Sequence, residues 1–257
     1  MIKYPCSVTL TIIFNIIIKH MKKLILSLAL LCASTNFYAQ ETDLGALINQ
    51  GKAALEAKNY QEAYTKFSSY LSQTHEQDSV IAYNCGVCAD KIKKPAEAAK
   101  YFGIAVDKKY NLANAYIGLA GALKDQKKNA EYLNTLKAGL EAVPNNKTLT
   151  KMLATYYVNQ GTVALQGKKQ KEAEEAFKQA LEVQPKNINA LNRLGSLYYT
   201  RGAGLVATDL EKAKDDFKLA KQYLEQLLPL LSPQKAAHKK MQSNTQTMLD
   251  YINSQIQ

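Results

Sequence analysis

From Leu44 to the end of the chain, apolar residues recur at three- and four-residue spacing, which predicts amphipathic helices almost throughout. Leu44, Leu47 and Ala54 share a face of a first helix, and Ala63, Phe67 and Leu71 share a face of a second, with Glu56-Ala57-Lys58-Asn59 as the turn. A second helix pair is predicted from about Ser79 to Asp107, turning at Lys91-Ile92-Lys93-Lys94-Pro95, where Pro95 suits a first helical turn. A third covers about Leu112 to Val143 and stops at Pro144-Asn145-Asn146; a fourth runs from about Thr148 to Gln184-Pro185-Lys186-Asn187; a fifth runs from Ile188 to about Leu231. Ser232-Pro233 reads as the start of a last helix, whose apolar stripe is Met241, Met248, Ile252 and Ile256. The other faces of that helix are polar, as befits the end of a stack.

The pairs share a layout: a small residue, an alanine about twelve places on, and a phenylalanine four further. Gly51, Ala63 and Phe67 form one set, Gly86, Ala98 and Phe102 another, and Gly161, Ala173 and Phe177 a third. Gly195, Ala213 and Phe217 keep the order with a longer gap, and the third hairpin departs most, with Ala120 facing Tyr132 and Leu136. A tyrosine there is expected to force its helices apart or turn outward. The steps of 35 from Phe67 to Phe102 and 34 from Gly161 to Gly195 suit stacked helical hairpins. Two departures mark insertions. Ala120 to Gly161 spans 41 residues, about two turns of excess, so Lys147 to Lys151 should lengthen the helix opening the fourth hairpin. Gly195 to Ala213 spans 18, which predicts a longer turn over Thr200 to Ala207 containing Arg201-Gly202-Ala203-Gly204, then a capping box at Thr208-Asp209-Leu210-Glu211.

These features resemble tetratricopeptide repeats (TPR) over roughly residues 44 to 231. The small-residue and alanine pairs Gly51/Ala63, Gly86/Ala98 and Gly161/Ala173 match that family's close helix crossing. Phe67, Phe102, Phe177 and Phe217 match its bulky residue between hairpins. Pro144 and Pro185 match its closing proline, with His75 and Tyr110 at the earlier positions. The resemblance implies an all-α right-handed superhelix (an α-solenoid) of about five hairpins, at about 44–77, 79–112, 113–146, 147–187 and 188–231, with residues 232–257 as a capping helix. It implies a concave groove built from first helices and a protein or peptide partner held in it. In that register Asn49 and Lys52 face the groove from the first hairpin, Tyr83, Asn84 and Val87 from the second, and Asn114 and Ile117 from the third. Asn159 and Thr162 follow from the fourth, and Asn192, Arg193 and Ser196 from the fifth. Asn49, Asn84 and Asn159 hold equivalent places, and an amide offers both donor and acceptor to the backbone of an extended peptide; the plainer alternative is tolerated polarity on a wet surface. A clamp of Lys, Asn and Arg for a chaperone's carboxyl terminus is not expected, because Ile48, Asn114 and Gly118 stand where it would need basic residues. In a superhelix the turns would align Lys58, Lys93, Lys94, Lys127, Lys128, Lys168 and Lys169 along one edge, either as a ridge for an anionic surface or as ordinary solvated charge.

Charge adds little to this picture. The formal net charge is +11, but Lys3, Lys19, Lys22 and Lys23 lie in residues 1–39 with no acid, leaving +7 for the remainder. That bias is moderate, and the clustered Arg with stacked aromatics of nucleic-acid readers is missing, since Arg193 and Arg201 are the only arginines. Nucleic acid is not an expected partner. Met21-Lys22-Lys23, the apolar run Leu24 to Ala33 and the small residue Ala39 read as a secretory signal over 21–39. The run is shorter than the roughly 20 apolar residues of a membrane span. Residues 1–20 read as a non-native extension upstream of a start at Met21. Acylation at Cys32 is disfavoured, because Leu31 stands where a smaller residue is needed. The expected location is the periplasm or another exported compartment.

Candidate chemistry is sparse. Cys85-Gly86-Val87-Cys88 is a CxxC, but mid-helix, where small buried core residues are the better account. GxSxG and HExxH are missing, and Gly202-Ala203-Gly204 is a weak phosphate motif. The sequence predicts no enzyme, no cofactor and no metal site. It predicts an exported scaffold of the bacterial envelope, with two alternatives: an assembly factor for outer-membrane machinery acting through convex or terminal surfaces, or a polyanion-binding protein using the lysines.

Overall fold

The computed structural model of the protein describes residues 44–256. The expected upstream extension at 1–20, the signal segment at 21–39 and Cys32 lie outside the described residues. Eleven α-helices are present among the described residues: α1 (44–56), α2 (Tyr60–Gln73), α3 (Ser79–Lys91), α4 (Pro95–Asp107), α5 (Leu112–Asp125), α6 (Asn129–Ala142), α7 (Lys147–Gln166), α8 (Gln170–Val183), α9 (Ile188–Leu205), α10 (Leu210–Leu227) and α11 (Ala236–Ile256). Consecutive helices pack as sequential hairpins, an all-α solenoid of the kind the resemblance implies. No described helix is long and apolar enough to cross a membrane. Two compact units are distinguished, one ending at Ile104 and one beginning at Ala105.

The first unit is built on two crossings. A Cβ placed on Gly51 would lie 2.5 Å from the Phe67 ring, and one on Gly86 would lie 3.0 Å from the Phe102 ring. Phe67 is fully buried, and it shares a core with Leu71, Ile81, Ala82, Cys85 and Cys88. Helix α2 thus packs on α1 through glycine and on α3 through its leucine and cysteine neighbours. The glycines are helical and none has a positive φ, so they are needed for the space they leave rather than for backbone freedom.

In the second unit the same contact recurs between Gly161 and Phe177, where an added Cβ would meet the ring at 2.5 Å. The fifth hairpin corrects the sequence reading. The stretch expected to be a turn over Thr200 to Ala207 is helix as far as Leu205, so α9 and α10 have 18 residues each. Gly202, rather than Gly195, meets the Phe217 ring at 3.0 Å, whereas Gly195 meets Leu224 at 2.6 Å. The two glycines are seven residues apart, nearly two turns, so both lie on one stripe facing α10. Asp209, not Thr208, caps α10, its carboxylate accepting from the Lys212 N–H.

The third hairpin exchanges the roles of its helices. Gly139 on α6 is the close-packed glycine, its missing Cβ position lying 3.1 Å from Tyr116 of α5 and from Leu149 of α7. Tyr132 does not turn outward: it is buried and meets Tyr156 of α7 edge-on at 5.7 Å. The last helix begins at Ala236 instead of Ser232-Pro233. The Ser232 hydroxyl is engaged with Gln234 and its N–H donates to Nδ1 of His238, so Ser232 caps nothing. Met241, Met248, Ile252 and Ile256 pack with Leu249 against the core of the second unit.

Gly161→Ala should destabilise the protein by about 1–3 kcal/mol, because the added methyl overlaps the fully buried Phe177 ring. Gly121→Ala, in α5 with open space around its Cβ, should stabilise by about 0.5–1 kcal/mol. Urea denaturation followed by circular dichroism checks both signs.

Candidate functional site

Helix α1, α3, α5, α7 and α9 each keep one face free of the hairpin crossings. In the first unit that face carries exposed Asn49 and Lys52 on α1 and half-buried Tyr83, Asn84 and Val87 on α3. Tyr83 leans on the Phe102 ring at 5.7 Å, so it is anchored by the core beneath it. In the second unit it carries Asn114 and Ile117 on α5, Asn159 and Thr162 on α7, and Asn192, Arg193 and Ser196 on α9, none of them buried. Reassigning the α9 crossing to Gly202 puts Thr200 in the place equivalent to Asn159, yet Arg193 stays on the same face two turns earlier. The asparagines divide by what they bond. Asn59, Asn146 and Asn187 cap helices, and Asn114 donates to the Asn111 side chain at 3.0 Å. The amides of Asn49, Asn84 and Asn159 hydrogen-bond to nothing among the described residues. Asn192 and Ser196 line a cleft of about 380 Å³ with Asn244, Thr247 and Met248 of α11.

The turn lysines separate into two sets. Lys58 and Lys93 in the first unit, and Lys127 and Lys168 in the second, have left-handed backbones with φ of 58–60° and are exposed without an ion pair among the described residues. Each follows its helix in the same cap, where the next residue's N–H reaches a carbonyl five places back: Asn59 to Ala54, Lys94 to Ala89, Lys128 to Leu123 and Lys169 to Ala164. Lys94, Lys128 and Lys169 are engaged instead. The Lys94 ammonium sits over the Tyr64 ring at 4.7 Å, while Lys128 and Lys169 pair with Glu131 and Glu172 on their own helices.

The CxxC thiols are free and buried within α3. Burial pushes the Cys88 thiol up to about 11, and pushes Cys85 higher still, with the neighbouring Cys88 adding to it. Thiols so held are poor nucleophiles at neutral pH. Among the described residues no group of three or more His, Cys, Asp or Glu side chains is placed to hold a metal.

No protein-family model and no curated protein matches this sequence. Among solved structures, the 1.50 Å crystal structure of a TPR repeats protein from Bacteroides fragilis NCTC 9343 is 45% identical, over 80% of this chain and 98% of that one, with a TM-score of 0.63. The chain belongs to the tetratricopeptide repeat family. Weaker matches include MamA 41-end from Desulfovibrio magneticus RS-1, 19% identical over 73% of this chain and 94% of that one at a TM-score of 0.44. YrrB, a TPR protein with an unusual peptide-binding site, is 17% identical over 69% and 84% at 0.43.

One polar cluster in this tetratricopeptide array escaped the sequence reading because Arg201 was expected in a loop. Arg201 on α9 grips Asp216 of α10 with two hydrogen bonds, Nε–H to Oδ2 at 2.7 Å and Nη2–H to Oδ1 at 2.5 Å. Its Nη1–H reaches Glu174 of α8 at 3.1 Å, and its guanidinium lies over the Tyr198 ring at 4.9 Å. Glu174 also accepts from the Tyr198 hydroxyl at 2.8 Å and from Lys178 at 2.7 Å. Burial works to raise the Glu174 pKa, but the hydrogen bonds from Lys178, Tyr198 and Arg201 outweigh it and hold the carboxyl below its usual range. Burial and the bond to Glu174 push Tyr198 up to about 12. The cluster joins the fourth hairpin to the fifth. The available signal was the spacing of Gly195 and Gly202: seven residues are nearly two whole helical turns and preserve the helix's faces.

Arg201→Ala leaves the Asp216 carboxylate buried without its partner and should cost about 2–3 kcal/mol at pH 7, less than a wholly buried pair because a third of the Arg201 side chain is exposed. Because the folded-state pKa of Glu174 is depressed, its contribution is present above the ordinary carboxylate pKa and lost as pH falls below it. The gap between wild type and variant should therefore narrow between pH 7 and pH 3, as read by urea denaturation at each pH.

Proposed function

We propose that the protein is a binding scaffold that captures a partner's extended or helical segment along the open faces of its first helices. One observation carries the reading: the equivalent amides of Asn49, Asn84 and Asn159 are accessible and have no partner among the described residues, while other asparagines are consumed by caps. Amides in such places can pair with both the N–H and the C=O of a guest backbone. Membership of the tetratricopeptide repeat family supports a protein or peptide as the guest. The signal-like segment at 21–39 supports export to the envelope of a bacterial cell as the setting. Micromolar affinity, about −8 kcal/mol, suits a contact of this kind. The test is capture of envelope proteins by the mature chain and by an Asn84→Ala, Asn159→Ala variant of unchanged helicity. The variant should hold the captured protein about tenfold more weakly, a loss of about 1.4 kcal/mol. Equal capture would contradict the groove.

A second reading, attraction to an anionic surface, is favoured by the turn lysines. Lys58, Lys93, Lys127 and Lys168 occupy a left-handed conformation that glycine adopts at no steric cost, and their ammonium groups have no ion-pair partner among the described residues. Vesicles with 30% anionic lipid should bind the protein at low salt and release it as added salt shortens the screening length toward about 8 Å. Binding that ignores salt would count against this reading.

A further inference from the structure

The third hairpin, where Tyr132 replaces a small residue, leaves a cleft of about 490 Å³ between α5, α6 and α7. Lys124, Tyr132, Lys147, Thr148, Lys151 and Thr155 line it, and no acidic residue does. The three lysines are exposed and have no ion-pair partner among the described residues. The 20-residue helix α7 begins here at Lys147, so the positive end of its dipole faces the cleft. Asn146 already accepts from the N–H groups of Thr148 and Leu149, which leaves this helix end to act as a field more than as a set of donors.

Tyr132 supplies an independent observation. The residue as a whole is 7% exposed, its ring lies in the core, and it borders the cleft. The hydroxyl nevertheless hydrogen-bonds to nothing among the described residues, although the ring is fixed edge-on against Tyr156. The hydroxyl oxygen is itself reached by solvent, so it is free to donate to a ligand atom in the cleft. Burial and the nearby Tyr156 raise the Tyr132 pKa, so the group is a donor at neutral pH.

We propose that this cleft binds a phosphate group carried by a small organic ester. Lysines act as point charges and suit phosphate, whereas planar carboxylate is best gripped by the guanidinium fork, and no arginine lines the cleft. The Tyr132 and Thr148 hydroxyls add neutral donors. The volume exceeds that of a bare phosphate and falls within the range of small-molecule sites, and Met152 offers an apolar wall for the organic part. Met152 and Thr155 lie seven residues before Asn159 and Thr162, hence on the same side of α7, but the inference stands without a peptide partner.

Isothermal titration of the full chain with phenyl phosphate, inorganic phosphate, phenol and a glutamate-rich peptide tests it. Phenyl phosphate should bind more tightly than inorganic phosphate, and phenol should not bind. A Lys147→Gln, Lys151→Gln variant should lose about tenfold or more in phenyl phosphate affinity through two missing charge-assisted contacts. Tyr132→Phe, which keeps the ring and its packing, should lose about threefold to tenfold through one missing hydrogen bond. Melting curves of both variants should match wild type. Absence of phenyl phosphate binding at millimolar concentration would overturn the proposal, as would affinity unchanged in the lysine variant. Equal affinity for inorganic phosphate would overturn the ester, and peptide binding that phenyl phosphate fails to displace would overturn phosphate in favour of an acidic segment.

Discussion

A missing methyl group governs this fold. At Gly51, Gly86, Gly161 and Gly202 the space where a Cβ would stand is taken by a phenylalanine ring of the following helix, at 2.5 to 3.0 Å. Dense packing of that kind fixes how closely two helices approach and tolerates little added volume. It also settles which side of each first helix is spent. One stripe goes to the crossing, another to the neighbouring hairpin, and the remaining side has no apolar debt to settle. The polar residues found there are a consequence of that division, and binding is the use such a face allows.

Much of this was legible in the residues because glycine, alanine and phenylalanine at fixed offsets have one efficient arrangement. The fold class follows from them. Where the reading failed, the same contact had been made by different letters. In the third hairpin the glycine sits on the second helix and the aromatic, Tyr116, on the first, so a search for glycine then phenylalanine finds nothing. In the fifth, two glycines seven residues apart both face α10, and only Gly202 stands close to the usual distance from Ala213. Choosing Gly195 over Gly202 converts nearly two turns of helix into a supposed loop. Helical continuation was indicated by the spacing of Gly195 and Gly202, but Gly202 and Gly204 looked like turn residues because their neighbours in space were unknown.

The polar features were less legible, since charge has no period of its own. Arg201, Glu174 and Asp216 come from three helices and are 15 to 42 positions apart, so no local motif announces them. The turn lysines were visible as a recurring residue, but their left-handed backbones were not. That geometry shows that four of them share one cap, and that Lys94, Lys128 and Lys169 serve their own neighbours. The CxxC illustrates the reverse: a motif with a chemical reputation turns out to be two buried thiols filling space between α2 and α3, with Cys85 reaching toward the Tyr64 carbonyl at 4.0 Å.

The steric character of the crossing can be measured directly by a double-mutant cycle between Gly161 and Phe177, using Gly161→Ala and Phe177→Leu singly and together. If the ring occupies the space of the absent Cβ, shrinking it should make room for the methyl, and the double variant should be more stable than the sum of the single losses by about 1 kcal/mol or more. Strict additivity within about 0.3 kcal/mol would contradict the account, because it would mean that glycine and ring do not compete for the same volume.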